Sequence, residues 1–106
     1  MFGGVKVTWL GHATFLFETP EGKKILVDPF LANNPSCPEE FHDVEVDAIL
    51  ITHGHGDHIA DVFTAHERCS GPIVGIFDLT TWLGIKGVPE EKLVGMNKGG
   101  TIALDG

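Results

Sequence analysis

Four residues able to bind a metal ion stand within six positions: His53, His55, Asp57 and His58, in the run Thr52-His53-Gly54-His55-Gly56-Asp57-His58. Imidazole and carboxylate suit zinc, manganese, iron, cobalt and nickel. Alternate residues of an extended segment point the same way, so His53 and His55 can share one ion. Asp57 and His58 follow Gly56, where the chain turns, and can face a second ion. Gly54 and Gly56 permit the dihedrals that bring four side chains into one small volume. Two ions roughly 3.5–4 Å apart can bridge a hydroxide, clamp a carbonyl or phosphoryl oxygen and lower the pKa of bound water to about 7. That chemistry serves hydrolysis of esters, lactones, amides and phosphodiesters. The competing readings are a structural metal site or a His-rich loop without metal. Structural zinc sites favour closed, Cys-rich shells, and this run has no Cys.

The elements around the run give it a base. Val5–Leu10 alternates and is rich in β-branched residues, which predicts a strand. Gly11-His12 breaks it, and 13–18 and 24–28 predict two more strands around a Pro20-Glu21-Gly22 turn. The opening therefore reads as an antiparallel meander. Residues 31–46 read as a loop, of which 31–42 is either on the substrate side or an ordinary solvated excursion. Asp47–Ile51 is a short apolar run, as in a buried strand, and leads directly into the ligand run. A helix should follow, with Ile59, Val62 and Phe63 on one stripe. Residues 72–77 predict a strand. Asp78 is the expected N-cap of a short helix burying Leu79, Trp82 and Leu83. Residues 92–96 and 101–104 predict further strands, and Asp105-Gly106 is a hairpin-turn signal that calls for a following strand.

The chain has 106 residues, 42% hydrophobic, enough for a packed core in a single domain. Its net charge of -8, with only the Lys23-Lys24 pair adjacent among the basic residues, argues against nucleic acid or anionic membrane as a partner. A nuclease is weakened on the same ground. Cys37 and Cys69 have no metal-type spacing and read as free thiols. No signal peptide or membrane-length apolar run is visible, so the cytoplasm is the expected location.

The sequence resembles the metallo-β-lactamase superfamily. The resemblance lies in the run 52–58 after a strand at 47–51, with Asp28 closing an earlier strand. Trp9-Leu10-Gly11-His12-Ala13-Thr14 and Ile25-Leu26-Val27-Asp28-Pro29 narrow it. They are similar to the bacterial and archaeal metal-dependent hydrolases related to L-ascorbate-6-phosphate lactonase, and more distantly to N-acyl-phosphatidylethanolamine phospholipase D. The resemblance implies an α/β fold: an αβ/βα sandwich of two mixed sheets with outer helices, of which residues 1–106 form the N-terminal half. It implies His53 and His55 on one metal and Asp57 and His58 on the other, with zinc first among the metals. Asp57 would also contact the attacking water as the catalytic residue. Asp28 would orient the metal loop through hydrogen bonds; otherwise it merely caps the turn at Pro29.

The later motifs of that superfamily, a third histidine, a bridging aspartate and a final histidine, have no counterpart here; His42 and His66 do not match them. The expectation is a hydrolase that attacks a small-molecule substrate with a metal-bound hydroxide and needs a C-terminal half, cleaved or separate, for activity. The 106-residue fragment alone is expected to be inactive, with an exposed apolar face. The alternative is a non-catalytic metal-binding or regulatory module. His12 lies near the site by the resemblance, as a neighbour or a ligand, or else is a hydrogen-bonded structural residue. His42 reads as a solvated loop residue, His66 as a surface one, and Trp9 and Trp82 as core or rim packing.

Overall fold

The structure is a computed structural model, which describes residues 4–11, 13–31, 34–52 and 62–96. The ligand run 53–58, His12 and the expected strand at 101–104 lie outside the described residues.

Among the described residues, six strands form one sheet: β1 (Lys6–Trp9), β2 (Phe15–Glu18), β3 (Lys24–Val27), β4 (Ala48–Leu50), β5 (Ile73–Ile76) and β6 (Leu93–Met96). Their order in space is their order in sequence. The first three pair antiparallel, as the meander predicts, and β3 through β6 pair parallel. Antiparallel neighbours are joined by tight turns: Gly22, at φ 86°, closes the one between Thr19 and Lys23. Parallel neighbours need crossovers, which hold α1 (Val62–Ala65) and α2 (Phe77–Ile85). The mixed sheet with helices is the expected α/β class.

Period-two alternation separates the two faces of the sheet. Thr8, Leu16, Leu26, Ile49, Ile73 and Leu93 form one cross-strand row. Its central members are fully buried and belong to the core, where Val62, Ala65, Leu83 and Val88 cover them. The next row, Trp9, Phe15, Val27, Leu50, Val74 and Val94, points the other way. That face is apolar and open in part: Trp9 is 61% exposed, Val7 37% and Ile76 45%, while Val74 and Ala48 are buried.

Two expectations need correction. Asp78 is not the N-cap of α2. Strand β5 runs directly into the helix, the N-cap is Ile76, and Asp78 falls in the first turn, where its charge still suits the helix dipole. Trp82 is not on the buried face; it is 40% exposed, with the Lys86 ammonium 5.9 Å from the ring centroid. The cause is Gly75. A Cβ there would sit 3.4 Å from Thr80 Cγ2, so the small Thr80 faces the sheet at close range and is buried. At roughly 100° per residue, a buried arc through Leu79, Leu83 and Thr80 leaves Trp82 on the rim. Trp9, on the edge strand β1, lies at the rim, one of the two places expected for it.

The described residues of the segment 31–46 pack against the sheet and are not a solvated excursion. The segment carries a 3-10 turn at Glu39–Phe41 and a bridge from Val46 to Cys69, and it buries Leu31, Asn34 and Cys37. His42 is half-buried in it, with Nε2 3.1 Å from the Cys37 carbonyl. His66 opens a 3-10 turn after α1 and is also half-buried. Both cysteines are buried thiols outside any disulfide.

Candidate metal centre and its support

Strands β1, β3 and β4 point the same way, so the segments that leave their C-terminal ends share one rim of the sheet. In open α/β sheets this rim is where ligands bind. It carries the turn at 10–14, Asp28 after β3, and Thr52 after β4. The ligand run begins at the next residue, His53.

Asp28 is 2% exposed and holds the end of β4 with both carboxylate oxygens. Oδ1 accepts the Thr52 amide at 2.7 Å, and Oδ2 accepts the Thr52 hydroxyl at 2.6 Å. Its own amide donates to the Leu50 carbonyl at 2.8 Å. Its carbonyl accepts the hydroxyl of Thr14, a fully buried residue, at 2.7 Å. Asp28 has φ 49°, the one positive φ outside glycine among the described residues. Aspartate tolerates this region better than most residues, but it is still disfavoured, and the following Pro29 restricts the backbone further. Strain of this kind persists where surrounding contacts over-determine it. Here four hydrogen bonds do so.

A second brace went unseen in the sequence. Asn34, 2% exposed, donates from Nδ2 to the carbonyls of Leu10 at 3.0 Å and Phe30 at 2.9 Å. Its Oδ1 accepts the Ser36 amide at 3.0 Å. The last bond is an Asx turn, for which Asn-Pro-Ser is the legible signal. Lys92 also escaped notice. Its ammonium donates to the carbonyls of His66 and Cys69 at 2.7 and 2.8 Å, so a cation holds the C-terminal end of the α1 crossover, where it suits the helix end.

Asp47 pins the opposite end of β4. Its carboxylate accepts the Lys24 amide at 2.8 Å and the Ser70 hydroxyl at 3.3 Å. The Lys24 bond, helped by the Lys23 charge, holds its pKa below the ordinary 3.8 against a smaller opposing effect of burial.

Of the residues singled out by sequence, the structure thus places Asp28 in contact with the residue preceding the ligand run. His53, His55, Asp57, His58 and His12 lie outside the described residues. Among the described residues no three His, Cys, Asp or Glu side chains gather closely enough to hold a metal. The donor set to be tested is therefore the one at 53–58: three imidazoles and a carboxylate, which fit a divalent transition-metal ion. No helix of the described residues is long and apolar enough to cross a membrane.

Comparison with known proteins agrees with this geometry. A family profile described as "Beta-lactamase superfamily domain" matches residues 6–78. A UPF0173 metal-dependent hydrolase of Roseiflexus sp. (strain RS-1) is 48% identical over 94% of this chain and 43% of its own length. Another, from Rubrobacter xylanophilus, is 44% identical over 100% of this chain and 43% of its own length. The solved structure of a metallo hydrolase from the hyperthermophilic archaeon Ignicoccus hospitalis superposes with a TM-score of 0.75 at 30% identity, over 94% of this chain and 42% of that one. The chain thus spans less than half the length of the relatives it matches. By the span of that match and the sheet that carries Asp28 against Thr52, the chain belongs to the β-lactamase superfamily.

Proposed function

We propose that this chain supplies the metal-binding half of a metal-dependent hydrolase acting on an ester, lactone or phosphoester-like small molecule. The observation that carries the proposal is the two-point grip of the Asp28 carboxylate on Thr52, one residue before His53. Support of this kind orients metal ligands and tunes their affinity.

In this reading His53 and His55 hold one divalent ion, and Asp57 and His58 hold a second. Zinc is the first candidate, with manganese, nickel, cobalt and iron as the others. When bound, such ions acidify water and polarise the bond to be cleaved. The chain's own residues do the positioning. Asp28 fixes the end of β4, and Asp57 orients the attacking water. Kinship with the lactonase branch rests on Trp9–Thr14 and Ile25–Pro29.

The relatives are named metal-dependent hydrolases and are more than twice as long as the matched span. The open apolar face carrying Val7, Trp9 and Ile76 is where we place a C-terminal half of the same fold, either a separate chain or the rest of a longer one. The isolated 106 residues are then inactive. The cytoplasm is the proposed location.

His53→Ala tests the assignment. In the protein joined to its C-terminal half, metal content by mass spectrometry should fall while circular dichroism stays unchanged. Unaltered metal stoichiometry in that variant refutes the ligand set. Full metal binding with no hydrolysis of any ester or phosphoester probe in the joined protein supports a binding or regulatory module instead.

A further inference from the structure

We infer that Asn34 is a positioning residue, which fixes the turn bearing His12 beside the start of the ligand run. The inference rests on the proposed metal centre for its functional meaning, but its geometry stands alone.

The turn at 10–14 is held from two sides. On one side Thr14 donates its hydroxyl to the Asp28 carbonyl at 2.7 Å, while the Asp28 carboxylate grips Thr52. One residue therefore ties the turn and the end of β4 together, so the turn stands next to the point where the ligand run begins. On the other side Asn34 donates to the Leu10 carbonyl, at the start of the turn, and to the Phe30 carbonyl, just after Asp28-Pro29. Its remaining oxygen is engaged by Ser36, so the amide cannot flip without losing bonds.

The contact is also sterically closed. Gly11 has φ 98°, and a Cβ at that position would lie 2.8 Å from Asn34 Oδ1 and 2.5 Å from Ser36 Cβ. The loop at 34–36 is thus pressed against the turn backbone, and only glycine fits between them. A buried amide with its donors and acceptor all used, at the seam between two loops, fixes the backbone at Leu10 and Phe30. Asn34 touches no residue of 53–58 through these bonds, so it acts through the turn and not through the metal ligands.

The test is nitrogen-resolved NMR of the His12 imidazole and the Thr52 amide in the zinc-loaded protein joined to its C-terminal half, comparing wild type, Asn34→Ala and Gly11→Ala. Gly11→Ala disturbs the same contact from the other side and guards against misfolding of the first variant. Zinc content and turnover of bis(p-nitrophenyl) phosphate are read on the same samples. Both variants should shift or broaden the His12 resonance while zinc content holds. Turnover should fall about tenfold to a hundredfold, the scale on which small misplacements act. An unmoved His12 resonance in both variants, or a fall in turnover that tracks zinc loss, overturns the inference. Failure of the wild type to bind zinc would refute the proposed metal centre, yet the His12 comparison would still decide what Asn34 does.

Discussion

The Asp28 carboxylate accepts two hydrogen bonds from Thr52, at 2.7 Å from the amide and 2.6 Å from the hydroxyl, across 24 residues of sequence. Asp28→Ala removes both, and Thr52→Val removes only the second. Metal affinity should drop about 10–100-fold in Asp28→Ala, the usual scale for such support. Thr52→Val should lose less. The double variant should be no worse than Asp28→Ala, because residues in direct contact couple by about 0.5–3 kcal/mol. Chelator competition measures all three. Strictly additive losses would mean that the two residues act separately.

Acid should loosen the start of β3. The Lys24 amide and the Lys23 charge hold the Asp47 carboxyl below its ordinary 3.8. A group depressed in the folded state contributes its stability above the unfolded pKa and loses it as pH falls through the folded value. Urea midpoints of wild type and Asp47→Asn should therefore differ at pH 7, with wild type higher, and converge well below the ordinary 3.8. A gap that persists in strong acid would mean that packing, not charge, sets the difference.

Gly71 faces the Asp47 carbonyl at a distance too short for any Cβ. Gly71→Ala must push the β4 entry and the 69–72 segment apart. A destabilisation of about 1–3 kcal/mol is expected, as for other overpacked sites. Thermal unfolding of the two forms gives the answer, and equal melting temperatures would show that the backbone yields freely.

The open face can be read through its tryptophan. In Trp82→Phe, fluorescence reports Trp9 alone, since the chain has two tryptophans. Trp9, at 61% exposure, should emit as a wet indole in the isolated chain. Adding the C-terminal portion of the Roseiflexus relative should shift that emission to shorter wavelength and displace a bound hydrophobic dye. Unchanged emission with complex formation would place the partner on another surface.

The strands of the meander were legible because each is short and bounded by glycine or proline, and β4 because it is a short, wholly apolar run. The meander of β1 to β3 and the buried run at 48–50 needed nothing more. Trp82 was misread because its exposure depends on Gly75, which belongs to another element and admits Thr80 against the sheet. Asp78 looked like a cap because sequence does not show that β5 leaves no loop before the helix. Of the site's support, Asp28 was visible through its place at a strand end. Asn34 and Thr14 were not, because their partners are main-chain carbonyls, and a carbonyl carries no sequence signature.

The sheet grows in the order in which it is written. Each strand from β2 onward pairs with the one synthesised just before it, so a nascent chain never waits for a distant segment to arrive. Low sequence separation between partners favours fast folding, and domains commonly form as they leave the ribosome. Asp28 and Asn34 emerge before Thr52 does. The cradle at the rim is therefore laid down ahead of the residues it is to hold, and the chain delivers His53 to a support already waiting for it.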